Sequence, residues 1–74
     1  MRSVDDLARI ALAGGGMALD ATLLSIDDMA RIAVAASGGT NPAQLRIRNT
    51  DHLSADDLAR ISVAGRGCVF FEKI

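Results

Sequence analysis

The chain has 74 residues, half of them apolar but only 3% aromatic. A chain of this length forms one domain with a small core, which self-association or a very regular fold would help to stabilise. The net charge is −1 and the eight basic side chains are scattered, so the basic patch of a nucleic-acid-binding protein is missing.

One ten-residue pattern occurs three times, as SVDDLARIAL from Ser3, SIDDMARIAV from Ser25 and SADDLARISV from Ser54. The copies begin 22 and 29 residues apart, which is typical of stacked supersecondary units. We therefore predict one domain built from three repeats. The domain spans residues 1–74, and its repeats span about residues 3–22, 25–50 and 54–74.

Each repeat begins with a predicted helix. The serine lies at the N-cap, and both aspartates lie near the positive end of the helix dipole. The first aspartate and the arginine four residues later are predicted to pair on the helix surface, and glycines end each helix. The expected ion pairs are Asp5–Arg9, Asp27–Arg31 and Asp56–Arg60. We interpret these recurring residues as structural, not as acid–base or metal-binding groups.

A short predicted strand follows each helix: MALDA from Met17, QLRIRN from Gln44 and CVFFEKI from Cys68. Strands separated by a helix pair in parallel, and right-handed crossovers place successive helices on the same side of the sheet. The predicted fold is therefore α/β, with three tandem helix–strand repeats. They form a three-stranded parallel sheet of order 1-2-3 with the helices on one face.

The second face of this sheet has no predicted helix to cover it, although parallel sheets are nearly always covered on both faces. Alternation places six side chains under the helices: Met17, Leu19, Leu45, Ile47, Cys68 and Phe70. The open face then combines Arg46 and Arg48 with Val69 and Phe71, a mixture typical of an interface. These four residues are the predicted interaction surface. The third strand is also an unpaired edge, apolar on both sides.

The stretch LRIRN, from Leu45 to Asn49, has two leucine-like positions two residues apart, followed by an asparagine. Leucine-rich repeats have this spacing, with the asparagine one residue later, in units of 20 to 29 residues that each supply a strand and a helix. The architecture of the chain resembles leucine-rich-repeat proteins. The resemblance implies a protein-binding solenoid that presents its strand face.

A second candidate site lies beyond the carboxyl ends of the strands, where parallel sheets bind ligands. Asn49, Asp51, His52 and Lys73 collect there and form a possible ligand loop. His52 would be a base or a pH-sensitive contact, although a solvated turn residue is the commoner role for such a histidine. The glycine-rich stretches follow helices instead of opening them, which argues against a phosphate loop.

The cysteine and histidine content limits the remaining chemistry. One cysteine, Cys68, excludes an internal disulfide, and with His52 as the single histidine the chain lacks ligands for a zinc site of these two types. No uncharged apolar stretch approaches the roughly 18 to 20 residues that span a bilayer, and Asp5 and Asp6 interrupt any signal peptide. We expect a cytoplasmic protein with no cofactor or metal and no membrane or nucleic-acid partner.

These patterns predict a non-catalytic protein-interaction module rather than an enzyme. Its expected partner is itself, as a homodimer formed through the open sheet face or the third strand. Two alternatives stay open: a small-ligand-binding or regulatory module that uses the loop at the strand ends, and an immunity or adaptor protein for another, unidentified protein.

Overall fold

The computed structural model describes residues 2–73 and contains a helix and then a strand, three times over. Helices α1, α2 and α3 comprise Val4–Leu12, Ile26–Gly38 and Ala55–Gly65. Strands β1, β2 and β3 comprise Met17–Asp20, Leu45–Arg48 and Val69–Phe71. Met1 and Ile74, the ends of the predicted domain, lie outside the described residues. Between residues 2 and 73, none of the helices has the length and apolar character needed to traverse a bilayer.

The three strands form one parallel sheet in the order β1-β2-β3, which confirms the predicted fold class and sheet order. In the helical layer, α1 packs against α2 and α2 packs against α3. The second repeat is therefore enclosed by a neighbour on each side. The first and third repeats each have one side without a neighbour among the described residues.

Serine caps begin all three helices. The side-chain oxygens of Ser3, Ser25 and Ser54 each accept a hydrogen bond from the backbone N–H three residues later, at 3.1–3.2 Å. At α3 the capping box is complete, because the Asp57 carboxylate also accepts a bond from the Ser54 N–H at 3.4 Å. The repeated Ser-x-Asp-Asp pattern thus fixes where each helix starts.

The core lies between the helices and the sheet and consists of aliphatic side chains and methionine. The largest side chains that are fully buried are Met29, Ile32, Leu45, Ile47 and Ile61. Four of these five belong to the second repeat. Because burial of such side chains is the main source of folding free energy, the stability of the domain is concentrated in its middle.

The loop that is longer in the second repeat, residues 39–44, folds back over the end of α1. A Cβ added to Gly39 would overlap the Leu12 carbonyl oxygen, so the two backbones are in close contact. At the far end of the loop Ala43 is buried, and its N–H donates to the Ala36 carbonyl at 3.0 Å. The insertion therefore joins the second repeat to the first.

Candidate interaction surface

The uncovered face of the sheet carries the outward-pointing side chains of β2. Residues along β2 alternate between buried and exposed, with Leu45 and Ile47 buried and Arg46 and Arg48 exposed. Both arginines therefore lie on the open face, where the sequence predicts them.

The side chains of the third strand lie on the opposite faces of the sheet from those predicted. Val69 is in register with Leu45 and Phe71 with Ile47, and both are half-buried against the core. Phe70, which alternation placed under the helices, is 47% exposed and lies beside Arg46. The assignment of Val69 and Phe71 to the open face is therefore wrong, and Phe70 is the aromatic residue of that face.

The turn before β3 explains this orientation. Helix α3 ends at Gly65, and Arg66 and Gly67 follow with φ angles of 47° and 88°, so the strand begins only at Val69. A Cβ on Gly65 would overlap Cγ2 of Val69, so this glycine leaves the space that the valine fills. Four consecutive apolar residues, 68–71, give alternation no means of choosing a face. The signal in the sequence that could have indicated the faces of β3 was Gly65, which lies opposite Val69.

Arg46 and Phe70 form the centre of the open face. Cζ of Arg46 lies 5.1 Å from the centroid of the Phe70 ring, within the distance of a cation–π interaction. At an exposed site such a contact contributes about 0.5–1 kcal/mol. The guanidinium covers part of the ring, so this face is basic and aromatic rather than apolar.

A carboxylate lies at the end of β1, next to the open face. Asp20 Oδ1 accepts hydrogen bonds from the Thr22 hydroxyl at 2.6 Å and from the Thr22 N–H at 2.9 Å. These bonds, the hydroxyl first, lower the pKa of Asp20 below its ordinary value, and the Asn49 side chain and the Arg48 charge add to the effect. Asp20 therefore stays ionised to a lower pH than an ordinary aspartate does. It lies beside Arg48, its register partner in β2.

A cleft of about 210 Å³ lies beyond the carboxyl ends of β2 and β3. It brings together Asn49, Asp51 and Lys73 of the predicted ligand loop, whereas the exposed His52 is not part of its lining. Small-molecule sites usually enclose about 300–1,000 Å³, so this cleft is small for an organic ligand. Its lining consists of Arg48, Asn49, Thr50, Asp51, Glu72 and Lys73.

Ion pairs connect neighbouring helices. Arg31 of α2 contacts the Asp5 carboxylate of α1, and Nη2 of Arg60 in α3 lies 2.6 Å from Oδ1 of Asp27 in α2. The prediction of pairs within each helix is wrong, because Arg31 and Arg60 extend across the groove to the preceding helix. The wrongly predicted pairs are Asp5–Arg9, Asp27–Arg31 and Asp56–Arg60. All four paired side chains are more than half exposed, so each contact contributes about 0–1 kcal/mol.

Equivalent residues of the three repeats differ in burial at the two ends of the array. Ile32 and Ile61 are fully buried, whereas Ile10, at the same position of the first repeat, is 40% exposed. One residue further along the helix, Ala33 is fully buried and the equivalent Ser62 of the third repeat is exposed. Helices α1 and α3 therefore each expose a residue whose equivalent in α2 is fully buried.

Cys68 and the paired aspartates, the other reactive groups considered in the sequence, do not form a site among the residues that the structure describes. Cys68 is half-buried and contacts the core. Within residues 2–73, no three His, Cys, Asp or Glu side chains lie close enough together to hold a metal ion. The paired aspartates instead form a row along the helix N-termini.

Comparisons of the chain with protein-family models, with curated proteins and with solved structures found no match. The molecule has three surfaces with a geometry suited to binding: the open sheet face, the cleft at the strand ends and the outer sides of the terminal repeats.

Proposed function

We propose that the protein is a non-catalytic interaction module that associates with further copies of itself, with the third strand as the main contact. The supporting observation is the incomplete burial of β3. Val69 and Phe71 are half-buried, whereas their register partners Leu45 and Ile47 in β2 are fully buried. A further strand beside β3 would cover both side chains.

The backbone of β3 supports the same contact. The Cys68 carbonyl accepts a hydrogen bond from the Leu45 N–H at 2.7 Å, and the Glu72 N–H donates to the Ile47 carbonyl at 2.9 Å. Because backbone groups alternate in direction along a strand, those of Val69 and Phe71 point to the outer edge. No strand of residues 2–73 pairs there. An unpaired edge of this kind is a template for strand addition.

The open sheet face is the less favourable contact for a second copy. A two-fold contact buries the same surface patch of both copies in one interface. Arg46 and Arg48 of one copy would then lie near the same two arginines of the other, with Asp20 as the neighbouring carboxylate. Burying these charges without full pairing costs free energy. We therefore favour the strand edge over the face.

Light scattering on a size-exclusion column tests self-association. The expected mass exceeds the 7.7 kDa of a single chain and rises with protein concentration into the high micromolar range. A mass of one chain at every concentration would contradict the proposal.

A pair of matched variants separates the edge from the open face. Arg46→Asp reverses a charge on the open face in β2, the central strand, and Asp51→Arg reverses a charge at an exposed turn away from that face. Association through the edge predicts that both variants retain the wild-type mass. A loss confined to Arg46→Asp would instead assign the contact to the open face.

A small-ligand or regulatory role is the second candidate, because Asn49, Asp51 and Lys73 line one cleft at the strand ends. Amide NMR shifts confined to residues 49–52 during a screen of small carboxylates and phosphates would support it. An unresponsive loop would count against it. The role of adaptor or immunity protein and the resemblance to leucine-rich repeats stay predictions.

A further inference from the structure

The arginine and the first aspartate of the repeat form the same contact twice. Arg31 in the second repeat binds Asp5 in the first, and Arg60 in the third repeat binds Asp27 in the second. Each repeat thus offers an aspartate to the repeat that follows it and an arginine to the repeat that precedes it. The contact is a property of the stacking and recurs wherever one repeat follows another.

Two members of this series have no counterpart. Arg9 in the first repeat and Asp56 in the third form no ion pair within residues 2–73, and both are exposed. They lie at opposite ends of the array and carry opposite charges. Arg9 and Asp56 are therefore complementary in charge to each other.

An apolar side chain, Ile10, also lacks a counterpart on the free side of α1 within residues 2–73. Ile10 is 40% exposed, although Ile32 and Ile61 at the same position are fully buried. Among the described residues, Ile32 and Ile61 belong to helices with a preceding neighbour and Ile10 does not, so a further repeat docked on the free side of α1 is expected to cover Ile10. Removing the exposed part of this apolar side chain from water favours docking at this end.

On the free side of α3, Ser62 can be buried without leaving its hydroxyl unpaired. Ser62 takes the place that alanine has in the first two repeats, Ala11 and Ala33, both fully buried. The Ser62 hydroxyl already donates to the Leu58 carbonyl of its own helix at 2.8 Å. Covering Ser62 therefore does not leave a buried hydroxyl without a hydrogen-bond partner, which would be unfavourable.

Head-to-tail docking would also extend the sheet with all its strands parallel. Within residues 2–73 the outer edge of β1 and the outer edge of β3 are both unpaired, and all strands are parallel. If the first repeat of one copy follows the third repeat of another, β1 is added to β3 with the polarity that already relates β1 to β2. The strand order then continues without a reversal.

We propose that the partner is a second copy of this chain and that copies associate head to tail, with the first repeat of one docked on the third repeat of the next. Arg9 of the second copy then pairs with Asp56, Ile10 of the second copy is covered by α3, and β1 is added to β3. This geometry rests on the proposed self-association and changes the expected product. A head-to-tail contact leaves one surface of each copy unused, so it yields longer chains or rings instead of a two-fold dimer.

Charge reversal provides the test, with sedimentation velocity as the measurement. The variants Arg9→Asp and Asp56→Arg each place like charges at every junction. Each alone is expected to associate at least about tenfold more weakly than the wild type. In an equimolar mixture every junction between the two variants joins opposite charges, so the mixture is expected to regain wild-type association and to form species larger than a dimer.

The controls separate this geometry from self-association in general. Asp51→Arg makes the same change of charge at an exposed turn away from both ends and is expected to associate like the wild type. Melting by circular dichroism checks that the variants fold, since neither Arg9 nor Asp56 forms an ion pair with another residue between 2 and 73. The milder pair Arg9→Ala and Asp56→Ala replaces any reversal that does not fold, and each is expected to weaken association to a smaller extent.

Three results would overturn the head-to-tail geometry: single variants that associate like the wild type, a mixture no stronger than its components, or an equal loss in Asp51→Arg. In each of these, a wild-type protein that still associates leaves the proposed function intact. A wild-type protein that stays monomeric contradicts both proposals at once.

Discussion

The second repeat and the two terminal repeats have nearly the same helical sequence but different surroundings. Ile32 in the second repeat is fully buried, whereas Ile10 at the same position of the first repeat is 40% exposed. The difference comes from position in the stack, because, among the residues that the structure describes, the second repeat alone has a neighbour on each side. In an array of three repeats the ends are a large share of the molecule, and their exposure is what makes them candidate contacts.

The largest expected effect is a difference between these two isoleucines. Ile32→Ala should lower the free energy of unfolding by about 2–5 kcal/mol, because it leaves a cavity in a fully packed site. Ile10→Ala should lower it by less than about 1 kcal/mol, since part of that side chain is already in water. Urea unfolding at low micromolar concentration measures both values. Equal losses would show that the terminal repeat is as well packed as the middle one.

A pair of adjacent glycines tests how the second repeat is attached to the first. Gly39→Ala should cost about 1–3 kcal/mol, because the new Cβ meets the Leu12 carbonyl. At Gly38, the last residue of α2, a Cβ meets no atom within 4 Å. Gly38→Ala should therefore raise stability by about 0.5–1 kcal/mol. Thermal unfolding compares the two, and a neutral Gly39→Ala would mean that the insertion is not held against α1.

A smaller effect concerns the ion pairs between helices. A double-mutant cycle on Asp27 and Arg60 should give a coupling energy of about 0.2–1 kcal/mol, as for other exposed pairs. The cycle on Asp27 and Arg31, which are neighbours within α2, serves as the control and should give almost none. A larger coupling energy for Asp27 and Arg31 than for Asp27 and Arg60 would support the ion pair within the helix that the sequence predicts.

The smallest effect is expected at the end of β1. The Thr22 hydroxyl, the Thr22 N–H and the Asn49 side chain lower the pKa of Asp20, so the carboxylate is stabilised in the folded state. This contribution is present above the pKa of Asp20 in the unfolded chain and is lost as the pH falls through the lower pKa of the folded state. Thr22→Val should raise that pKa toward its ordinary value in an NMR titration. An unchanged pKa of Asp20 in this variant would show that the Thr22 hydroxyl does not lower it.

The repeat pattern allowed most of the fold to be predicted. Serine caps, helical spacing of apolar residues and closing glycines marked each helix, and the alternation in β2 gave its correct faces. The faces of β3 could not be predicted from its own residues, because Val69, Phe70 and Phe71 are all apolar. Its orientation depends on Gly65 in another element, whose missing side chain accommodates Val69.

The candidate surface was predictable only in part for a related reason. Arg46 and Arg48 were placed correctly by alternation within one strand. The partner of Arg60 depends on the relative position of two helices, so spacing along the chain favoured Asp56 although Asp27 is the partner. The exposure of Ile10 is a consequence of its position at the end of the stack, which the repeated motif does not encode.

Amide hydrogen exchange, measured at low and at high micromolar concentration, locates the contact between copies directly. Head-to-tail association predicts slower exchange at high concentration for the outward amides of Val69 and Phe71 and for the β1 edge, with no change in β2. Exchange that does not depend on concentration, or protection confined to residues 49–52, would contradict it.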